Sequence, residues 1–141
     1  MNKILNDLKK ISKYLIPPIL LFILGWILYF LGLFNSITWL DTLMHFLGGI
    51  VLGYTYFFMI KHFISKNYLK LNTFFMIVFV TSLVAFTTVL WEFYQFFLAL
   101  FTTIPVQLSI EDTLLDMFLG LFGGFLAVIF LENSKRYFRT K

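Results

Sequence analysis

The sequence predicts an all-α, polytopic membrane protein: one domain over residues 1–141, built from four transmembrane helices. Three observations predict it. Of its 141 residues, 60% are hydrophobic and only 13% charged, against about 25% charged in an ordinary soluble domain. Four apolar runs reach the ~20 residues needed to cross a bilayer core. The basic residues gather on one side of those runs, as the positive-inside rule requires.

The first run, Leu15–Phe34, follows several lysines, as a signal peptide would. No small-residue cleavage site follows it, and the first alanine is Ala85, so it reads as a retained helix. The second run, Thr42–Ile64, carries Gly49 and Gly53; the fourth, Leu114–Leu131, carries Gly120 and Gly124. Both are small-xxx-small spacings that let helix backbones approach closely, within the chain or between copies in a homo-oligomer. The third run, Phe74–Phe101, is long enough to tilt or project. Along it Thr81, Ala85, Thr88, Glu92, Gln95 and Ala99 recur at spacings of four and three, which is one helical face. That small or polar stripe is expected to face protein, and the phenylalanines around it lipid.

All eleven Lys and Arg residues fall at three places. Lys3, Lys9, Lys10 and Lys13 precede the first helix, and Lys61, Lys66 and Lys70 lie about the end of the second and its connection to the third. Lys135, Arg136, Arg139 and Lys141 follow the fourth. The other two connections, residues 35–40 and 102–111, have none. Both termini are therefore expected in the cytoplasm, in the plasma membrane of a prokaryote. Tyr14, Tyr68 and Tyr137 near the basic ends and Trp39 near the other face fit interfacial anchoring. The net charge of +4 is thus a topology signal, and no nucleic-acid partner is expected. The partner is the lipid bilayer, with its anionic headgroups.

The acids are distributed differently. Asp7 and Glu132 lie among the lysines; Asp41, Glu92, Glu111, Asp112 and Asp116 do not. "DTLMHFLGG" from Asp41 and "DTLLDMFLG" from Asp112 are near-copies, with Asp41 over Asp112 and His45 over Asp116 (112 − 41 = 116 − 45 = 71). In each, the second ionisable residue lies one turn, about 6 Å, deeper on the same face. Glu92 lies about nine residues, roughly 13 Å, from the outer end of the third helix, so three helices can bring these groups to one depth. Thr88 and Gln95, one turn to either side, would support Glu92 as hydrogen-bonding neighbours. The repeat also allows helix pairs 1–2 and 3–4 to be related by an axis along the membrane normal, as in parallel transporter repeats.

Several readings suit these residues. Asp41 and Asp112 can serve as caps or first-turn acids, with Ser109 and Asp112 forming a capping box. That leaves His45, Glu92 and Asp116, whose burial in a bilayer costs some 2.5–3.5 kcal/mol per charge and calls for partners. They can lock the bundle, relay protons, or hold a metal. The cytoplasmic half offers few ionisable groups beyond Lys61 and His62 to continue a proton path. A metal site would take its ligands from Asp41, His45, Glu92, Asp112 and Asp116; hard oxygens and one imidazole suit Mg²⁺, Mn²⁺, Ca²⁺ or Zn²⁺. Neither haem nor an Fe–S cluster is expected, and the absence of cysteine excludes thiolate ligands.

"DTLMHFLGG", "WEFYQF" and "DTLLDMFLGLFGG", in this order, resemble the YjdF-like family of small integral membrane proteins and, more distantly, VanZ-like proteins. The resemblance implies functional roles for Asp41, His45, Glu92, Asp112 and Asp116, and brings no established activity. Gln95 stands where the YjdF-like pattern has a second acid, and no arginine precedes Asp112 as in VanZ-like proteins. The expectation is an outward-facing acidic/His pocket that binds a divalent cation and serves metal-assisted hydrolysis or transfer on a lipid or cell-envelope substrate. There Glu92 would be ligand or general base and His45 ligand or general acid. The alternatives are cation or proton transport, or a structural, accessory role.

Overall fold

The computed structural model describes residues 9–102 and 109–139, with side chains up to residue 134. Lys3, Asp7 and Lys141, and the side chains of Lys135, Arg136, Tyr137 and Arg139, lie outside the described residues. Among the described residues the chain is helical, without strands, and four helices are long and apolar enough to cross a membrane. They are α1 (Lys9–Phe30), α2 (Leu40–Ser65), α3 (Thr73–Phe101) and α4 (Ile110–Arg139).

Local chemistry sets the helix ends. α1 stops at Phe30, four residues short of the apolar run, because Gly32 adopts a left-handed φ of +70°. Glycine takes that conformation without steric cost. A four-residue helical turn, Leu33–Ser36, then leads to α2. α2 closes in a Schellman motif: Asn67 takes φ +61°, its N–H reaches the Ile64 carbonyl, and the Tyr68 N–H reaches that of Phe63. Asn72 caps α3, its side chain accepting from the Phe75 N–H at 2.9 Å. Ser109 caps α4, accepting from the Asp112 N–H at 3.1 Å, so α4 begins before its apolar run. Near the start of α1, Pro17 and Pro18 lack N–H groups, which leaves the Tyr14 carbonyl without its helical donor. The buried Thr55 hydroxyl of α2 donates to it at 3.0 Å. A bilayer requires such internal satisfaction of backbone groups.

The bundle is organised around a seam between α2 and α4. A Cβ on Gly49 would collide with the backbone of Gly120, and one on Gly53 would stand 2.8 Å from the Gly124 carbonyl oxygen. Residues 71 apart therefore face each other, and α2 and α4 run side by side in the same direction. α3 crosses both in the opposite direction. Its Thr88 methyl fills the space over Gly120, and Val84 that over Gly124. Here the structure departs from the expected small-residue stripe. The buried face of α3 is Met76, Val80, Val84, Thr88, Glu92 and Gln95, so valines replace Thr81 and Ala85 in its inner half. Small residues on α4 receive branched ones from α3, and only one side of a close contact has to be small.

α1 packs chiefly on α2, with Leu21 against Gly48 and Gly25 against Met44, and touches α3 through an edge-to-face pair of Phe22 and Trp91. Its lipid-facing character is strong: Ile19, Leu20, Ile23, Leu24 and Ile27 are all exposed. On α3, Phe74, Phe86, Phe93, Phe97 and Phe101 are likewise exposed, as expected for a surface solvated by acyl chains. The Gly49/Gly53 and Gly120/Gly124 faces are filled within the chain, so a homo-oligomer would need another surface.

Candidate functional site

The site sits one helical turn from the tightest layer of the bundle. Gly49, Gly120 and Thr88 make that layer. His45, Asp116 and Glu92 are each four residues away in their own helices, on the side toward the starts of α2 and α4. Because the backbones nearly touch at the glycines, the side chains one turn on are driven together. Helix periodicity adds Asp41, one further turn toward the start of α2, on the same face as His45.

His45 is the centre of the cluster. Its Nε2 lies 3.6 Å from Asp41 Oδ1 and 3.6 Å from Asp116 Oδ2, and its Nδ1 lies 3.7 Å from Glu92 Oε1. These are ion-pair distances, longer than the 2.7–3.2 Å of a formed N–H···O bond. The side chains of His45, Asp116 and Glu92 are 7%, 4% and 8% exposed, and that of Asp41 is 33% exposed. Asp41 is therefore the mouth of the site and the other three its interior. Asp116 Oδ1 and Glu92 Oε1 are buried without a hydrogen-bond partner among the described residues. Buried carboxylate oxygens in that condition are rare and costly.

Asp41, His45 and Asp116 each offer a ligand atom within 4.8 Å of the others, so these three could hold a metal ion. Glu92 stands on the opposite nitrogen of the imidazole. Asp112 is half-buried in the first turn of α4 and close enough to act electrostatically on Asp41, Glu92 and Asp116. The structure thus brings all five residues into one neighbourhood, with three of them close enough to one another to hold an ion. Thr88 turns its hydroxyl back to the Val84 and Ala85 carbonyls of its own helix. Gln95 is buried on the same face as Glu92.

Two features escape the sequence reading. Thr113 of α4 hydrogen-bonds the Glu92 carboxylate; the signal was the threonine shared by the two Asp-Thr-Leu repeats, Thr42 and Thr113. At the far end of the seam Lys61 Nζ stands 3.2 Å from Glu132 Oε1. That pair is again 71 residues apart (132 − 61 = 71), so the register of the repeat runs the length of the seam.

The class defined by this fold and site is a four-span helical membrane protein with a buried acidic/His group between three of its helices. Residues 8–136 match the family described as "Predicted membrane protein (DUF2238)", and the chain belongs to that family. This is the YjdF-like family to which its motifs pointed. No curated protein and no solved structure matches the chain.

Proposed function

We propose that the cluster is a divalent-cation site, held by Asp41, His45 and Asp116, opening on the outer face of the plasma membrane. One observation carries this reading. Two carboxylate oxygens converge on one imidazole nitrogen, a third carboxylate oxygen there is unpartnered, and among the described residues neither lysine nor arginine pairs with them. Such a set of acceptors in a poor dielectric is relieved by a cation. Carboxylate oxygens with one imidazole suit Zn²⁺ or Mn²⁺, and Mg²⁺ or Ca²⁺ with added water.

His45 and Asp116 lie about 8–9 Å along their helices from the helix starts, near headgroup depth. That depth supports a lipid or cell-envelope substrate, and a VanZ-like likeness fits the same proposal without adding a residue to the site. A bound divalent ion would supply an activated water or polarise a phosphoryl or carbonyl oxygen. Asp41, a third exposed at the mouth, is the group placed to meet an incoming substrate.

The test is thermal unfolding in detergent. A divalent cation at a hundredfold excess over its Kd should stabilise wild type by about 2.7 kcal/mol relative to chelator. Asp116→Asn should abolish that difference and emerge metal-free in elemental analysis. If neither chelator nor any of Mg²⁺, Mn²⁺, Ca²⁺ and Zn²⁺ moves the wild-type transition, the cluster is a packing motif. Orientation is tested separately by a reporter fused after Lys141, expected on the cytoplasmic side; a reporter found outside would turn the site inward.

A further inference from the structure

The imidazole of His45 has two faces with different neighbours, and this separates Glu92 from the ligands. Nε2 looks toward Asp41 and Asp116 from α2 and α4; Nδ1 looks toward Glu92 from α3. An ion bound between Nε2 and the two aspartates lies across the ring from Glu92. The two ring nitrogens of a neutral imidazole cannot both be acceptors: one carries the proton. Where the proton sits decides whether Nε2 can ligate at all.

We infer that Glu92 is a positioning residue: it accepts the Nδ1–H of His45, fixes the tautomer that leaves the Nε2 lone pair toward Asp41 and Asp116, and is itself held by Thr113. This rests on the cation reading: without an ion the two aspartates facing Nε2 offer its N–H more acceptors than Glu92 offers Nδ1–H, and with an ion on Nε2 the proton sits on Nδ1, toward Glu92. Three observations converge on it. Glu92 Oε1 is the carboxylate oxygen facing Nδ1, and it is buried without another hydrogen-bond partner among the described residues. Thr113 hydrogen-bonds the same carboxylate and anchors it from α4. The backbone of α3 is fixed one turn away, where the Thr88 methyl seats on Gly120. A carboxylate behind a ligating histidine orients the ring and raises its basicity. The separation of 3.7 Å is long for the bond itself, and contacts of this kind commonly tighten when a site is loaded.

The experiment uses the full chain in detergent with two readouts. The first is Zn²⁺ titration of wild type, Glu92→Gln, Glu92→Ala, Thr113→Val and Asp116→Ala. The second is ¹⁵N NMR of histidine-labelled protein with and without Zn²⁺, which reads the ligating nitrogen and the tautomer, with His62→Gln to assign the His45 signals. Asp116→Ala should lose the site. Glu92→Ala should keep one ion per chain at about 10- to 100-fold weaker affinity. Glu92→Gln, which keeps an oxygen acceptor, should fall between it and wild type. With Zn²⁺ bound, wild type and Glu92→Gln should ligate through Nε2 with the proton on Nδ1, and Glu92→Ala should lose that preference. The inference is overturned if Glu92→Gln loses the ion as completely as Asp116→Ala, which would make Glu92 a ligand. It is also overturned if Glu92→Ala leaves affinity and tautomer unchanged. Should wild type bind no ion, the cation reading fails and this inference with it; should wild type bind and Glu92→Ala bind equally well, only this inference fails. If Glu92→Ala does not fold, Glu92→Gln and Thr113→Val carry the same decision.

Discussion

The two ends of the α2–α4 seam solve the same problem with different charge. At one end Lys61 and Glu132 face each other at 3.2 Å; at the other, His45 and Asp116 face each other at 3.6 Å. Both pairs are 71 residues apart and flank the same glycine contacts. Among the described residues the Lys61 end pairs one cation with one anion, and the lysine ammonium also lies over the Phe57 ring, 5.6 Å from its centroid. The His45 end sets one imidazole among Asp41, Glu92 and Asp116, with Asp112 nearby. Its charge does not close within the seam. A packing device has no use for a surplus of buried carboxylates, since an uncompensated buried charge costs several kcal/mol. On the proposed reading the Lys61 end is structure and the His45 end a site.

The comparison is broken most severely by opening the seam itself. A methyl group on Gly49 would collide with the Gly120 backbone, which cannot turn aside as a side chain can. Gly49→Ala should therefore cost at least about 3 kcal/mol, beyond the usual overpacking range, and uncouple both ends together. Gly48, its neighbour, is the control: a methyl there would meet only the Leu21 side chain at 4.0 Å. Gly48→Ala should be neutral or gain up to ~1 kcal/mol from helix propensity. Unfolding of the two variants in detergent checks this, and equal stability of both would refute the backbone contact at the seam.

Much of this arrangement was legible in the sequence because membrane helices are written in long apolar runs and their contacts in small residues. The four helices came from run length, and the cluster from ionisable residues that a bilayer does not tolerate without purpose. What stayed hidden depends on angle. The apolar run at the end of α1 gave no hint that Gly32 would break it. The stripe on α3 placed Thr88, Glu92 and Gln95 on the buried face but missed Val80 and Val84, because spacing alone cannot tell which partner helix supplies the glycines. That Glu92 would meet Nδ1 and the aspartates Nε2 is set by three helix rotations at once, which no single segment encodes. The Lys61–Glu132 pair was hidden for another reason. Each residue sits in a basic cluster that topology alone explains, so nothing local marks the two as a pair.

The finest test neutralises one carboxylate at each end and compares signs. Glu132→Gln removes the partner of a lysine whose side chain is one-third exposed. The cost should lie between that of a surface pair, about 0–1 kcal/mol, and a buried one, about 3–5 kcal/mol. Asp112→Asn should act in the opposite direction when metal is chelated. It gives up a favourable first-turn charge worth about 0.3–1 kcal/mol. It also relieves repulsion from Asp41, Glu92 and Asp116. Three neighbouring carboxylates acting together in a poor dielectric outweigh a single first-turn charge, so relief should win. With a saturating divalent cation the sign should reverse, because the same carboxylate then attracts the ion. Melting of both variants with chelator and with cation reads all four values. If Asp112→Asn destabilises with chelator as Glu132→Gln does, the cluster carries no surplus charge, and the two ends of the seam are the same kind of structure.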